Sequence, residues 1–201
     1  GEGLLDSYEI ERRPVGVRNT LEAASNFDRV ATLMALPEWI EEDSERGRAA
    51  RAAAAANIQS QKKTWSASGM HLGYRYEGSP IVVPDGTPEP PDEPSNYQPT
   101  ARPGHRAPHA WLADGRSTLD LFGRGFVLLN FGGAAADVAA LADGAAAAGV
   151  PLTVEAIDQP EIAGQYGRLL VLVRPDGQVA WRADTAPANA KQLFDVVRGA
   201  A

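Results

Sequence analysis

The chain has 201 residues, a formal net charge of −7, 44% hydrophobic residues and no cysteine. A chain of this length can bury a sizeable core without disulfides or a structural metal, and the lack of cysteine excludes cysteine-ligated zinc, iron–sulfur clusters, thiol nucleophiles and CxxC redox couples. The 26 acidic residues outnumber the 19 basic ones, which argues against a nucleic-acid-binding protein.

Neither the N-terminal sequence nor the most apolar stretch is typical of export or membrane insertion. Residues 1–8 lack the basic and apolar parts of a secretory signal. Residues 134–150 are rich in alanine and glycine but contain Asp137 and Asp143, so this stretch is too short and too polar to span a bilayer. We therefore expect a cytoplasmic protein that binds neither a membrane nor nucleic acid.

Hydrophobic residues follow helical spacing over residues 4–63. We predict a short helix over residues 4–12 and a longer one that begins at Pro14 and ends before Pro37. The apolar stripe of the longer helix consists of Val17, Leu21, Ala24, Ala31 and Met34.

The pattern changes twice between residues 44 and 103. Ser44 predicts the N-cap of a third helix, whose alanine-rich residues 49–56 favour helix but provide little apolar bulk. Beyond it, apolar and polar residues alternate, which predicts a strand with one buried face; its apolar members are Met70, Leu72, Tyr74 and Tyr76. Residues 84–103 are rich in proline and acidic side chains, so we predict a semi-rigid extended linker.

The remainder of the chain alternates between strand and helix signals. Asp114-Gly115 lies between residues 109–112 and 117–119, which predicts a β-hairpin. A buried strand over residues 126–131 is followed by a helix over 135–148 and a second strand over 152–157. Such a strand–helix–strand unit places the two strands parallel, with a right-handed crossover.

The last elements predict a second hairpin and a closing helix. Residues 169–173 and 178–181 are strands joined through the turn Pro175-Asp176-Gly177. Pro187 then begins a helix with an apolar stripe of Leu193, Val196 and Val197. The order β-hairpin, βαβ, ββα is typical of a thioredoxin-like fold. The predicted fold class is therefore α/β: a helical N-terminal arm (residues 1–83), a linker (84–105) and a thioredoxin-like mixed-sheet domain (106–201).

The second half resembles thioredoxins in the order and spacing of its motifs. The resemblance covers Ala156-Ile157-Asp158, Tyr166-Gly167 and the turn after residue 173. Where thioredoxins carry Trp-Cys-Gly-Pro-Cys, however, this chain has Gly-Gly-Ala-Ala-Ala at residues 132–136, and the segment with the thioredoxin cis-proline is missing before Leu169. Disulfide exchange requires a thiolate nucleophile, so the domain cannot perform it.

A second resemblance covers most of the chain. Residues 3–15, Gly-Leu-Leu-Asp-Ser-Tyr-Glu-Ile-Glu-Arg-Arg-Pro-Val, resemble the segment that closes the flavin-binding domain of FAD-dependent aromatic hydroxylases. Residues 72–82 and 102–112 resemble the phenol-hydroxylating branch of that family, typified by 2,4-dichlorophenol 6-monooxygenase. The resemblance implies a parent enzyme that uses FAD and NAD(P)H to hydroxylate phenolic substrates, with a C-terminal domain that serves packing and dimer contacts.

The phosphate-binding turn of that family is not present in this sequence. Gly123-Arg124-Gly125 precedes a strand instead of following one, and Gly132-Gly133 lacks the third glycine and the acidic residue of a GxGxxG motif. We therefore expect the C-terminal portion of a longer enzyme, with no cofactor of its own and with its own flavin-binding domain and a second copy in a homodimer as partners. A stand-alone interaction module with a redox-inactive thioredoxin-like domain is the alternative.

Histidines and arginines form two groups that could bind a ligand. His105 and His109 have a spacing that presents two metal ligands only on a helix, and the prolines at 103 and 108 exclude a helix, so we interpret both, with His71, as hydrogen-bonding or solvated side chains. Arg102, His105 and Arg106 could bind an anion or the flavin domain. Anchoring of the linker is the interpretation we favour for them.

The other candidate groups are also better explained by structural roles. Glu9, Glu11, Arg12 and Arg13 could belong to a nucleotide site, but a Glu9–Arg13 pair or an interdomain ion pair is favoured. Trp111, Trp181, Phe122, Phe126 and Phe131 could form a ligand box, but their places on strands and beside turns favour core packing. Ser7, Ser44 and Ser117 lack a GxSxG motif. We predict no catalytic, cofactor-binding or metal-binding residue.

Overall fold

The computed structural model describes residues 2–34, 36–61 and 66–201. The helices are α1 (Glu2–Met34), α2 (Glu45–Ser60), α3 (Ser68–Leu72), α4 (Ala135–Ala147), α5 (Pro160–Tyr166) and α6 (Ala190–Val197), with short 3-10 turns at Glu38–Glu41 and Thr118–Leu121. The strands are β1 (Phe126–Asn130), β2 (Leu152–Ala156), β3 (Leu170–Val173) and β4 (Val179–Ala183). None of the helices in these described ranges is both long and apolar enough to cross a membrane.

Helix α1 is continuous, so the prediction of two helices that meet at Pro14 is wrong. An internal proline removes one helical hydrogen bond and crowds the preceding turn. Tertiary contacts of the flanking turns offset this cost, because Glu11 and Val15 are buried against the rest of the chain. The predicted stripe of Val17, Leu21, Ala24 and Ala31 is exposed, whereas the buried face of α1 contains Ser7, Glu11 and Val15.

The next segment confirms one prediction and corrects another. Ser44 caps α2, since its hydroxyl oxygen accepts the N–H of Gly47 at 3.2 Å. The strand predicted around residues 70–76 is wrong: the chain forms α3 there, and Arg75 makes only a single bridge to His105. The cause is close packing at Gly69, where a Cβ would lie 1.8 Å from the carbonyl oxygen of Glu93. Tertiary packing overrides the alternating pattern at this point. The helical pattern predicted for residues 62 and 63 falls outside the described residues.

Residues 84–103 contain no helix or strand, and they lie along the sheet instead of standing away from it. The N–H of Val83 donates to the carbonyl of Ala180 at 2.9 Å, and that of Gly104 donates to Val179 at 2.8 Å. The Asp85 carboxylate pairs with Arg182 at 2.6 Å. The two ends of the segment are therefore held at the outer edge of β4. The boundaries at residues 84 and 106 stay a prediction.

The sheet has the strand order β2-β1-β3-β4, which confirms the predicted α/β fold with a mixed sheet. Strands β1 and β2 are parallel, with Phe126 beside Leu152, and β3 is antiparallel to both β1 and β4. Helices α4 and α6 pack on one face over a core that includes Leu128, Leu172 and Phe194. The other face packs against α5 and the segment before the sheet; its core includes Val127, Val171 and Tyr166.

Two local predictions in this half need correction, and one helix was not predicted. The turn at Asp114-Gly115 is present, but the predicted hairpin is reduced to one bridge between Trp111 and Ser117, because Ser117 and Asp120 form a capping box that begins a 3-10 turn. The last helix begins at Ala190 with Asn189 as its cap, and its buried stripe includes Phe194. Helix α5 was not predicted; its first residue is Pro160.

Candidate functional site

The polar centre of the molecule is an ion pair between α1 and the sheet. Arg174 follows β3, at the start of the tight turn to β4, and Glu11 lies on the buried face of α1. The Arg174 guanidinium binds both carboxylate oxygens of Glu11, at 2.5 and 3.0 Å, and both side chains are buried. A bidentate pair of this kind fixes direction as well as distance. It therefore sets the position of α1 on the C-terminal domain.

Further side chains satisfy both members of this pair. The hydroxyl of Ser79 donates to Glu11 at 2.7 Å, and Arg174 also binds Asp176 at 2.7 Å. The guanidinium lies 5.5 Å from the centre of the Tyr76 ring. Burial opposes the charged form of Arg174, but its hydrogen bond to Glu11 and the charges of Asp176 and Glu11 raise its pKa above the ordinary value. Arg174 is therefore a permanent cation with all its charge compensated locally.

A second contact joins α1 to the same region. Arg12 donates to the hydroxyl oxygen of Tyr76 at 3.0 Å and lies 5.7 Å from the centre of the Tyr74 ring. Burial raises the pKa of Tyr76, and the hydrogen bond from Arg12 opposes that rise. Tyr76 is therefore neutral at physiological pH. Its hydroxyl accepts a hydrogen bond from Arg12, and its ring lies against the Arg174 guanidinium.

A cleft of about 190 Å³ lies between α1 and residues 73–92. Two arginines line it, and each is paired within the chain. Arg18 binds both carboxylate oxygens of Asp92, at 2.7 and 2.8 Å, and Arg75 pairs with Glu89 at 2.7 Å. The acidic partners neutralise these two arginines. The cleft is therefore better described as a contact between α1 and residues 73–92 than as a binding site for an anionic ligand.

His105 is a buried titratable group near this cleft, because its backbone forms a bridge with Arg75. Its Nε2 lies 3.2 Å from the Glu77 carboxylate, which also binds Arg102. Burial lowers the pKa of His105 to about 4; the Glu77 charge opposes this shift, and Arg75 and Arg102 add to it. A neutral His105 therefore donates its Nε2–H to Glu77 at physiological pH. The backbone carbonyl of His105 accepts the N–H of Val179, so the geometry agrees with the predicted anchoring role of Arg102 and His105.

The three histidines are not brought together. His71 is exposed at the end of α3, and His109 is exposed with its ring edge against Trp111, 5.0 Å between ring centres. Within the described ranges, no cluster of three side chains could hold a metal ion. Arg106 contributes its backbone to a bridge with Gln178.

The remaining candidates take structural positions, with two corrections. Trp181 and Phe131 are buried and Phe122 and Phe126 half-buried, but Trp111 is 67% exposed, because it lies at a surface turn. The hydroxyls of Ser7, Ser44 and Ser117 bind backbone groups of their own turns. Among the described residues, Glu9 and Arg13 form no ion pair; the ion pair of α1 with the sheet uses Glu11 instead.

Sequence reasoning missed Arg174, Ser79 and Tyr76 as partners of α1, and Asp176 as a second partner of Arg174. One signal was present: Arg174 ends an otherwise apolar strand and immediately precedes Pro175-Asp176-Gly177. An arginine in such a place is seldom buried without an acidic partner. The identity of that partner was not predictable, since Glu11 is 163 residues away.

Comparisons with known proteins show which protein family the chain resembles. The model of the C-terminal region of aromatic-ring hydroxylases matches residues 100–200. The FAD-dependent monooxygenase apdD of Emericella nidulans is 36% identical over 197 residues, which cover 92% of this chain and 31% of that protein. The 2,4-dichlorophenol 6-monooxygenase of Delftia acidovorans is 32% identical over an alignment that covers 91% of this chain and 37% of that protein.

A solved structure extends the match to three dimensions. The structure of native and K252c-bound RebC-10x is 46% identical to this chain and superposes with a TM-score of 0.89 over 100% of it, but over only 38% of that chain. The present chain thus spans about a third of the length of the relatives it matches. The resemblance identified from residues 3–15, 72–82 and 102–112 is confirmed. The chain belongs to the aromatic-ring hydroxylase family, of which it contains the C-terminal region.

Proposed function

We propose that this chain is the C-terminal region of an FAD-dependent monooxygenase that uses NAD(P)H to hydroxylate phenolic aromatic compounds in the cytoplasm. One observation carries the proposal: the whole chain matches the C-terminal third of such proteins in sequence, and of RebC-10x in structure as well. In this assignment the upstream two thirds contain the flavin and the reacting atoms. The chain described here is a scaffold and forms a subunit contact in a homodimer.

The turn between β1 and α4 does not fit the pyrophosphate of FAD. A pyrophosphate requires free backbone N–H groups at a glycine-rich turn between a strand and a helix. The turn from β1 to α4 has that position, but the N–H groups of Gly132 and Gly133 both donate to the side-chain oxygen of Asn130, at 3.1 and 2.8 Å. A Cβ at Gly133 would lie 2.6 Å from the Leu170 side chain, so a larger residue there would have to displace that side chain. We therefore assign the chain no step in the flavin chemistry.

The scaffold role rests on α1, which has one face buried against the C-terminal domain and another face exposed. Glu11 and its neighbours bind the sheet, whereas Ile10, Val17 and Leu21, spaced by seven and four residues, form an adjacent apolar stripe. These three side chains are 45%, 52% and 65% exposed. Folded proteins seldom leave such a stripe in water unless a partner covers it. We infer that this α1 stripe packs against the flavin-binding part of the same polypeptide.

The test is to produce the protein from the complete reading frame and to compare it with the 201-residue chain. We expect the complete protein to be yellow, to contain FAD and to oxidise NAD(P)H in the presence of a phenolic substrate. The short chain should be colourless and inactive. A reading frame with no flavin-binding sequence upstream of this region would overturn the proposal and favour the interaction module.

A further inference from the structure

One partly buried arginine differs from all the others in having no carboxylate partner. Within the described ranges, eight arginines are at least partly shielded from solvent. Seven of them bind a carboxylate of the chain at 3.8 Å or less: Arg18, Arg29, Arg75, Arg102, Arg168, Arg174 and Arg182. The eighth, Arg106, forms neither an ion pair nor a side-chain hydrogen bond with any described residue. Arginine is seldom withdrawn from water without a partner, so Arg106 lacks the counter-charge that the other seven have.

The cross-strand neighbour of Arg106 provides an amide instead of a carboxylate. Arg106 and Gln178 form an antiparallel bridge. Two backbone hydrogen bonds of 2.9 Å flank this bridge, from Ala107 to Gly177 and from Val179 to His105. In such a non-hydrogen-bonded pair the two side chains lie close together. Gln178 is 1% exposed, and neither polar atom of its amide has a partner among the described residues. The neighbour of Arg106 therefore brings no negative charge to it.

A second neutral group near Arg106 is also without a partner. The hydroxyl of Tyr97 is buried and forms no hydrogen bond with a described residue. Burial raises the pKa of Tyr97, and the positive charge of Arg106 opposes that rise, so the two groups lie within electrostatic range of each other. A hydroxyl with a raised pKa is protonated at neutral pH. Arg106 thus lies beside polar groups that do not neutralise it.

Arg106 lines a pocket of about 190 Å³ next to the turn from β3 to β4. The other residues of its lining are mostly apolar: Leu119, Phe122, Pro175, Asp176 and Gly177. The Asp176 carboxylate is already engaged, because its two oxygens bind Arg174 at 2.7 Å and the N–H of Gln178 at 3.2 Å. Sites for small-molecule ligands usually have roughly 300–1,000 Å³. The pocket is therefore better suited to a single side chain.

We propose that the pocket binds an aspartate or glutamate side chain of the flavin-binding part of the same polypeptide, which pairs with Arg106. This inference rests on the proposed function, since the upstream two thirds of that enzyme supply the carboxylate. The chain spans about a third of the length of its relatives, so most of the polypeptide lies outside the structure. An acidic side chain fits because its carboxylate meets the guanidinium while its methylene groups contact Phe122 and Pro175.

Carbodiimide coupling tests this contact, because it joins a lysine amine to a carboxylate that touches it. Arg106→Lys keeps the positive charge, so the complete, FAD-containing protein with this substitution is treated, digested and analysed by mass spectrometry. We expect position 106 to be coupled to an aspartate or glutamate that precedes this chain. Arg124→Lys is the matched control, because Arg124 is exposed and is also unpaired among the described residues. It should not give an upstream product.

Removal of the charge provides an independent measurement on the same complete protein. Arg106→Gln would leave the upstream carboxylate without its partner, so it should lower the melting temperature by about 2 °C or more. Arg124→Gln should leave the melting temperature unchanged. Equal melting temperatures of the two variants would overturn the proposed contact.

The products of the coupling reaction separate this contact from its alternatives. Coupling to Asp176 or to another carboxylate of these 201 residues would overturn the inference by placing the partner within this chain. A product of twice the mass would overturn it by placing the partner in a second copy, and the absence of any product would show that no carboxylate enters the pocket. Each of these results in a protein that contains FAD leaves the proposed function intact, whereas a reading frame without a flavin-binding sequence would contradict the proposed function itself.

Discussion

The C-terminal sheet and its junction with α1 are held by opposite kinds of interaction. In the sheet, Leu128, Leu172 and Phe194 are fully buried among apolar neighbours. At the junction, the chain buries a carboxylate, Glu11, against a guanidinium, Arg174. Apolar burial supplies free energy without direction, whereas a buried ion pair supplies little net free energy and a strict geometry. The sheet therefore provides stability, and the junction sets the orientation of α1.

The largest effect should come from the core of the sheet. Phe194→Ala removes a fully buried ring between α6 and the sheet, and the resulting cavity should cost about 3–5 kcal/mol of unfolding free energy. Urea unfolding followed by circular dichroism would measure this. A loss below about 1 kcal/mol would mean that the sheet is not the main source of stability.

Substitutions at the junction should change the unfolding free energy in a pattern that apolar packing cannot produce. Arg174→Met leaves Glu11 as an unpaired buried charge and should cost about 3 kcal/mol. The double variant Glu11→Met, Arg174→Met removes both charges, and it should recover most of that loss. Equal losses in the single and double variants would show that the pair contributes net stability and not mainly geometry.

Acid should lower the stability of the folded chain through His105. Its pKa is lowered from 6.5 to about 4 in the folded chain, so between these values the unfolded chain binds a proton that the folded chain does not. Stability is therefore lost as the pH falls from 6.5 towards 4, by about 3 kcal/mol from this group. His105→Gln keeps a donor for Glu77 but does not titrate. The difference in unfolding free energy between the parent chain and His105→Gln should shrink as the pH falls from 6.5 towards 4. If the two curves of stability against pH stay parallel, His105 is not the cause.

The smallest effect should be at the α1 stripe. Leu21→Glu changes an exposed side chain, so in the isolated chain the unfolding free energy should change by less than about 0.5 kcal/mol. In the complete protein the same change would bury a charge against the flavin-binding part, and it should lower the melting temperature and the retained FAD. Equal behaviour in both proteins would mean that nothing covers the stripe.

Local patterns were sufficient to predict the four strands and the two helices on one face of the sheet, but not α5 on the other face. The order β1-α4-β2, the turn at Asp176-Gly177 and the cap at Ser44 each follow from residues that are neighbours in sequence. The errors arose where distant parts of the chain meet. Helix α1 continues through Pro14 because its flanking turns are held by the sheet, and α3 replaces a strand because Gly69 admits the backbone of residue 93.

The site was less predictable than the fold. The anchoring role of Arg102, His105 and Arg106 stays a prediction; Arg102 and His105 do contact Glu77, a partner that nothing near them in sequence indicates. Glu11 was among the charged residues of interest, yet nothing near it in sequence indicates Arg174. Ion pairs across a junction depend on how the two parts are oriented, and that orientation is itself a result of folding.

The central claim is that this chain supports flavin chemistry without holding the flavin. The most direct test is a titration of FAD with the isolated 201-residue chain, followed by flavin fluorescence. We predict no saturable change, because the N–H groups of the Gly132-Gly133 turn are occupied by Asn130. Saturable quenching at equimolar protein would contradict the account and place a flavin site within this chain.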